Sequence, residues 1–149
     1  MSKLFTAGVD EVGRGCLAGP VVSAAVILKG GIKLNLLRDS KKISFKKREE
    51  ICKHIKKNAY YAIGTASVEE ILSLNILQAS LLSMKRAIKK LTEKPGLILI
   101  DGIFAPEGLK NSNILRFNPK LNLGSNYFKK KMSLLVLSIP NLTIYCILA

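Results

Sequence analysis

Three carboxylate side chains follow two apolar segments of the 149-residue sequence. Asp10 and Glu11 end a segment of alternating apolar residues (5–9), and Asp101 follows the continuous apolar run 97–100. Alternation with a period of two predicts a strand, and a short apolar run is typical of a strand that is buried on both faces. If these strands are parallel neighbours, their carboxyl ends bring the acids together, at the edge where open α/β sheets usually bind ligands.

Clustered carboxylates without cysteine or histidine nearby suit a hard divalent ion such as Mg²⁺ or Mn²⁺. On a basic protein, this combination favours metal-assisted phosphodiester hydrolysis, in which two ions activate a water molecule and stabilise the leaving oxygen. Adjacent residues of a strand point to opposite faces, so Asp10 and Glu11 can share one site only if the strand ends or bulges there. The glycines that follow favour such an end. The alternative is that Asp10 and Asp101 are ordinary strand-end residues.

The chain is strongly basic, with 24 Lys and Arg against 10 Asp and Glu and a net charge of +14. This imbalance indicates a polyanionic partner, either nucleic acid or an anionic membrane. Eleven of the basic residues lie within 29–57, although a solvated helix face is the commoner origin of any single run. Three cysteines without CxxC spacing and one histidine argue against a disulfide framework and a zinc site, and they suit a reducing, cytoplasmic location.

The two ends of the chain suggest different relations to a membrane. The N-terminus lacks the apolar core of a signal peptide. Near the C-terminus, the lysines at 129–131 precede 18 uncharged residues, 132–149, which resemble a short tail anchor with a basic flank. Pro140 and the minimal length favour a buried strand or helix, or a tail that does not belong to the fold.

The other apolar patterns predict alternating strands and helices. The predicted elements after the first strand are a strand at 21–28, a helix at 45–57, a strand at 60–66, a long helix from 67 to 91 and a strand at 97–100. Ser67 and Glu70 form a capping box at the start of the long helix, whose apolar residues recur at steps of three and four. This order predicts one α/β domain with a mixed sheet.

A glycine-rich segment follows the first two acids. Gly13, Arg14 and Gly15 combine residues that allow close backbone approach with an arginine that can bind a phosphate through two N–H groups. The full spacing is GxGxxxG, and an apolar strand follows where a dinucleotide-binding fold needs a helix. The sequence therefore argues against a Rossmann site, and no P-loop motif occurs.

Residues 7–22 (AGVDEVGRGCLAGPVV) resemble the opening signature of the ribonuclease HII family, the type 2 ribonucleases H. Further matches follow in family order at residues 39–44, 48–49, 66–71, 75–77 and 100–102. The resemblance extends from about residue 4 to residue 106. It implies an RNase H-like fold, with a mixed β-sheet flanked by helices. It also implies cleavage of the RNA strand of RNA–DNA hybrids and incision at single ribonucleotides embedded in duplex DNA.

The resemblance also implies roles for individual residues. Catalysis and the binding of Mg²⁺ or Mn²⁺ would fall to Asp10, Glu11 and Asp101. The residues implied for contacts to the ribonucleotide and the nucleic-acid backbone are Gly13, Arg14, Gly15, Ser40, Lys41 and Lys42. Contact with the 2′-OH is how a protein distinguishes RNA from DNA at one position.

Beyond residue 106 the resemblance fades, and no counterpart of the family's fourth metal-binding aspartate is found. We therefore divide the chain into an RNase H-like portion, 1–120, and a divergent hydrophobic tail, 121–149. The hypothesis is a truncated or frame-shifted family member in which the C-terminal part of the fold is missing or replaced, acting as a monomer without a membrane. The alternatives are a catalytically impaired remnant that binds nucleic acid by charge alone and a tail-anchored basic membrane protein.

Overall fold

The computed structural model describes residues 5–15, 18–29, 44–109 and 113–117. Within these ranges the chain forms five strands and three helices. In chain order they are β1 (Thr6–Val12), β2 (Val21–Leu28), α1 (Phe45–Asn58), β3 (Ala59–Ala66), α2 (Val68–Leu74), α3 (Ile76–Lys90), β4 (Leu97–Asp101) and β5 (Asn113–Phe117).

The strands form one mixed sheet in the order β3-β2-β1-β4-β5. Strands β3, β2 and β1 pair antiparallel, whereas β1, β4 and β5 run parallel. The condition for bringing the acids together is therefore met, because β1 and β4 are parallel neighbours with Val9 paired to Ile100. Asp10 and Asp101 are the residues that follow this last pair in their strands.

Helices cover both faces of the sheet, which confirms the predicted α/β class. Helix α3 packs on one face, where Val9, Ile100 and Met84 belong to one buried cluster. Helix α1 packs on the other face through Ile51 and Ile55, which are 6% and 1% exposed. The middle of β4 is buried on both faces, as its continuous apolar run predicts.

Helix α3 lies unusually close to the sheet beside the first acids. A Cβ atom at Gly64 would overlap the backbone oxygen of Ser83 and the backbone nitrogen of Ala87, so only glycine fits there. Gly64 pairs with Ser23, which in turn pairs with Glu11. The fully buried hydroxyl groups of Ser23 and Ser83 also share a hydrogen bond. These contacts fix the distance between α3 and the strand that carries Glu11.

The predicted capping box at the start of α2 is confirmed and extended by an arginine. The Ser67 hydroxyl accepts a hydrogen bond from the Glu70 backbone N–H, and the Glu70 carboxylate accepts one from the Ser67 N–H. Arg86 of α3 donates two hydrogen bonds to this carboxylate, at 2.6 and 2.7 Å, and a third to the Thr65 carbonyl. We call Thr65, Ser67, Glu70 and Arg86 the Glu70 clamp, since it joins β3, α2 and α3.

The prediction of one long helix from 67 to 91 is wrong, because the helix is interrupted at Asn75. This residue has a φ of 72° and donates its backbone N–H to the Ile71 carbonyl, which closes α2. Its side-chain oxygen accepts hydrogen bonds from the N–H groups of Leu77 and Gln78 and so caps α3. With a ψ of 163° this backbone conformation is one that residues with a Cβ atom rarely adopt, and the two hydrogen bonds that the side chain accepts as an N-cap compensate for it. The apolar period continues across this break, which is why it predicted a single helix.

No helix within the described ranges is long and apolar enough to cross a membrane. The proposed tail at 121–149, including the uncharged run 132–149, lies outside the described residues. The domain boundary at residue 120 and the tail-anchor alternative therefore stay predictions.

Candidate active site

The first two acids lie within β1 rather than at its end. The pairing with β2 continues without interruption from Asp10 to Val12, so the expected strand end or bulge at Asp10 and Glu11 is wrong. Glu11 and Val12 remain in the strand because they pair with Ser23 and Val22 of β2. In a regular strand Asp10 and Glu11 point to opposite faces of the sheet.

Glu11 and Asp101 meet at a pocket of about 290 Å³ between the sheet and α3. We call this cavity the acid pocket. Its lining residues are Glu11, Arg14, Leu77, Ser80, Leu81, Met84, Asp101, Gly102, Ile103 and Phe104. Two carboxylates and one guanidinium group thus stand in a wall that is otherwise mainly apolar.

Asp10 is buried, with 5% of its surface exposed, and its Oδ1 accepts a hydrogen bond of 2.7 Å from the Glu11 backbone N–H. It lies at the same sheet edge as the acid pocket but is not among the lining residues. In the part of the chain that the structure describes, no three Asp, Glu, His or Cys side chains converge closely enough to hold a metal ion. The structure thus brings two of the three predicted carboxylates into one cavity and places the third next to Glu11 in the chain.

The two carboxylates of the acid pocket have different electrostatic environments. Burial raises the pKa of Asp101 to about 6, and the negative charge of Glu11 adds to this rise. Glu11 instead accepts a hydrogen bond and ion pair of 3.0 Å from Arg14. A divalent cation would favour the ionised form of Asp101, since opposite charge offsets both burial and repulsion. The all-oxygen donor set therefore fits a hard cation in its chemistry.

The glycine-rich segment departs from β1 through a turn that only glycine permits at its first position. Gly13 has a φ of 99°, and a Cβ atom there would lie 2.7 Å from the Pro20 carbonyl oxygen. Gly15 meets no such constraint, because a Cβ atom there has no neighbour within 4 Å. The Arg14 side chain is 48% exposed beside the acid pocket. The predicted substrate-binding residues Ser40, Lys41 and Lys42 lie outside the described residues.

Most residues of the pocket wall were not predicted as site residues from the sequence. Leu77, Leu81 and Met84 belong to the apolar residues predicted at steps of three and four along the long helix, and Met84 is buried at 3% exposure. Ile103 and Phe104 drew no prediction, although two large apolar residues directly after a site carboxylate were a usable signal. Strand β5 also went unnoticed, because its five residues show little alternation.

Comparison with known proteins places the chain in a family. Residues 7–124 match the family model described as Ribonuclease HII. This chain belongs to the ribonuclease HII family. The family match extends beyond residue 106, where the sequence resemblance was expected to end, and it includes β5.

Individual ribonuclease HII proteins are similar to the same region. Ribonuclease HII of Pelagibacter ubique is 62% identical over 105 residues, which cover 70% of this chain and 56% of the relative. Ribonuclease HII of Coxiella burnetii (strain Dugway 5J108-111) is 54% identical over 107 residues, 71% of this chain and 53% of the relative. The chain spans about half the length of the curated relatives it matches.

Solved structures confirm the RNase H-like fold expected from the resemblance to ribonuclease HII. Ribonuclease H2 from Pyrococcus horikoshii superposes with a TM-score of 0.61 at 25% identity and covers 76% of this chain and 62% of its own. A point mutant of Bst-RNase HIII gives a TM-score of 0.65 at 14% identity and covers 97% of this chain and 51% of its own. The second likeness concerns the fold alone.

Proposed function

We propose that this chain carries the active site of an RNase H endonuclease. It hydrolyses the RNA strand of RNA–DNA hybrids and incises duplex DNA at embedded ribonucleotides. The observation that carries the proposal is the meeting of Glu11 and Asp101 in one pocket beside Arg14, in a member of the ribonuclease HII family.

Glu11 and Asp101, within the acid pocket, would hold the Mg²⁺ or Mn²⁺ that the reaction needs. Asp10 would contribute from the residue after the last β1–β4 pair, Val9 and Ile100. When bound, two such ions supply an activated water and stabilise the leaving oxygen of the phosphodiester. The chain itself prepares this chemistry by keeping one carboxylate, Asp101, half-buried next to a second negative charge. A bound cation stabilises the ionised form of such a carboxyl group and so lowers its pKa.

Arg14 and the turn around it supply the contacts to the substrate. Arg14 uses one N–H group on Glu11 and exposes about half of its side chain, so further donors can bind a phosphate oxygen. Gly13 and Gly15 would bring the backbone close to the 2′-OH that distinguishes a ribonucleotide. Ser40, Lys41 and Lys42 would hold the nucleic-acid backbone, and the net charge of +14 favours binding to any such polyanion.

The test is cleavage of a duplex that contains one ribonucleotide, with an all-DNA duplex of the same sequence as the substrate control. Purified protein is incubated with Mg²⁺ or with Mn²⁺, and a matched sample receives EDTA. We expect one product, at the ribonucleotide, that requires the metal and is lost in Asp10→Asn. If folded wild-type protein yields no metal-dependent product, or if Asp10→Asn cleaves as well as the wild type, the proposed function is wrong.

A second candidate function is binding to nucleic acid by charge without cleavage. One observation favours it: no three metal-ligand side chains converge within the described ranges. This candidate predicts salt-dependent binding that is equal for the wild type and Asp101→Asn, and no product with either metal. The cleavage assay and a binding titration on the same duplex separate the two functions.

A further inference from the structure

Two large apolar side chains stand at the mouth of the acid pocket with much of their surface in solvent. Ile103 is 59% exposed and Phe104 is 51% exposed, and both line the cavity together with Glu11 and Asp101. Exposed apolar surface of this kind is unfavourable in water, and at a rimmed cavity it marks a binding surface.

The turn that carries this pair has a defined conformation. Gly102 has a φ of 127°, which redirects the chain directly after Asp101. Arg116 of β5 then donates a hydrogen bond of 3.3 Å to the Ile103 carbonyl. The apolar pair is thus held at a fixed position relative to the site carboxylates by a backbone turn and a neighbouring strand.

Position distinguishes this pair from the other exposed large apolar residues. The described residues of that kind elsewhere are Tyr61, Val68, Leu72, Leu74 and Leu115, and none of them lines the acid pocket. Phe104 is also the one aromatic residue among the lining residues. A flat apolar surface, an arginine with further donors and two carboxylates therefore share one opening.

A nucleic-acid duplex matches this combination of groups. It offers a phosphate to Arg14 and, within the minor groove, the apolar surface of the sugars and of base faces that become accessible when a step unstacks. Proteins that bind the minor groove often place a phenylalanine, leucine or isoleucine against or between base steps, which partly unstacks them. A lipid tail or an apolar peptide would instead have to lie against Glu11 and Asp101 and would gain nothing from these charges.

We propose that Phe104, supported by Ile103, is an apolar contact that packs into the minor groove of the duplex at the base step beside the scissile phosphate. This inference rests on the proposed function and adds a substrate-binding residue to that site. It assigns to Phe104 a role in affinity and duplex distortion, separate from the acids.

The experiment compares side chains that differ in apolarity at one position. Phe104→Gln replaces the ring by a polar side chain, whereas Phe104→Leu keeps an apolar one. Binding to a fluorescently labelled duplex with one ribonucleotide is measured by anisotropy in EDTA, and a second duplex carries 2-aminopurine next to the ribonucleotide to report unstacking. Leu72→Ala, which removes a side chain that is 82% exposed and lies off the pocket, is the matched control.

We expect Phe104→Gln to raise Kd roughly tenfold and to abolish the rise in 2-aminopurine fluorescence that the wild type causes. Phe104→Leu should stay within about threefold of the wild type, and Leu72→Ala should not differ from it. Thermal denaturation of each variant establishes that the folded fraction is unchanged.

Two results would overturn the inference alone while the proposed function stands. The first is wild-type cleavage with an unchanged Kd for Phe104→Gln. The second is a lower Tm for Phe104→Gln with unchanged Kd, which would mean that another part of this chain covers the ring. If the wild type neither binds nor cleaves the duplex, the proposed function fails and takes this inference with it.

Discussion

Two carboxylates beside helix α3, those of Glu70 and Asp101, have pKa values that are shifted in opposite directions. In the Glu70 clamp, Arg86 and the Ser67 N–H donate hydrogen bonds to Glu70 and lower its pKa to about 2. In the acid pocket, burial and the charge of Glu11 raise the pKa of Asp101 to about 6. Glu70 has a positively charged partner in Arg86, whereas within the described residues the charge acting on Asp101 is the negative one of Glu11.

This contrast separates a structural role from a functional one. A satisfied ion pair stabilises the fold and leaves no capacity for a ligand. A half-buried carboxylate beside a second negative charge costs stability, and such groups concentrate at binding and catalytic sites. We therefore infer that Glu70 joins α2, α3 and β3, and the contrast supports the proposed catalytic role of Asp101.

The largest effect is expected when the negative charges of Asp101 and Glu70 are removed in two separate variants. Asp101→Asn should lower cleavage roughly 1,000-fold, since bound metal contributes several kcal/mol to the transition state, without lowering Tm. Glu70→Gln should lower Tm and leave cleavage per folded molecule unchanged. Cleavage rates and thermal denaturation of both variants test this. A stable, active Asp101→Asn, or an inactive Glu70→Gln that is fully folded, would remove the contrast.

The next effect concerns the helix that both regions share. Gly64→Ala forces a methyl group into the backbone of α3 and should lower the free energy of unfolding by about 3 kcal/mol, as overpacking does. Because α3 carries Arg86 and part of the pocket wall, this substitution should disturb the hydrogen bonds of the Glu70 clamp and the geometry of the acid pocket together. Urea denaturation measures the loss, and Gly15→Ala is the control because a Cβ atom there meets nothing within 4 Å. Equal stability of the two variants would show that α3 does not lie against β3 in this way.

Glu70 and Asp101 should make the free energy of unfolding change with pH in opposite directions. Lowering of the Glu70 pKa from 4.5 to about 2 stabilises the fold above pH 4.5, and this contribution is lost as the pH falls toward 2. Raising of the Asp101 pKa from 3.8 to about 6 favours the fold below pH 3.8, and this contribution is lost as the pH rises through 6.

Denaturation in EDTA across pH 2 to 8 should therefore show two changes. Glu70→Gln should flatten the loss of stability at acid pH. Asp101→Asn should remove the decline between about pH 4 and 6, a difference of about 1 kcal/mol because water still reaches half of this carboxyl group. Parallel curves for Asp101→Asn and the wild type would contradict the environment described for Asp101.

The smallest expected effect is at the junction between the clamp's two helices. Asn75→Ala removes the side-chain cap of α3 and places alanine at a φ of 72°, so it should cost about 1 kcal/mol. Asn75→Gly loses the same hydrogen bonds but tolerates the backbone, and it should cost less. Chemical denaturation of the pair tests the order, and a more stable alanine variant would contradict the left-handed conformation.

Much of the fold could be predicted because local patterns agree with the tertiary structure. The alternating residues before Asp10 and the apolar run before Asp101 correctly indicated two strands, and their parallel pairing was the condition under which the acids would meet. The capping box at Ser67 and Glu70 was predicted from four residues, because its hydrogen bonds are local.

The remaining features depend on contacts that no local pattern contains. The end of β1 at Val12 is set by pairing with β2, and the break at Asn75 is hidden because the apolar period continues through it. The role of Arg86 depends on a partner sixteen residues away. The apolar mouth of the acid pocket joins Phe104 to Glu11, which only the fold brings together.

The most direct test of the central claim, that the acid pocket is the active site of a metal-dependent nuclease, is cleavage of one duplex by three proteins. The wild type, Glu70→Gln and Asp101→Asn, each adjusted to the same folded concentration, are given a duplex with one ribonucleotide and Mn²⁺. The account predicts cutting at the ribonucleotide by the wild type and Glu70→Gln and no detectable product from Asp101→Asn. Equal product from Asp101→Asn and the wild type would contradict it.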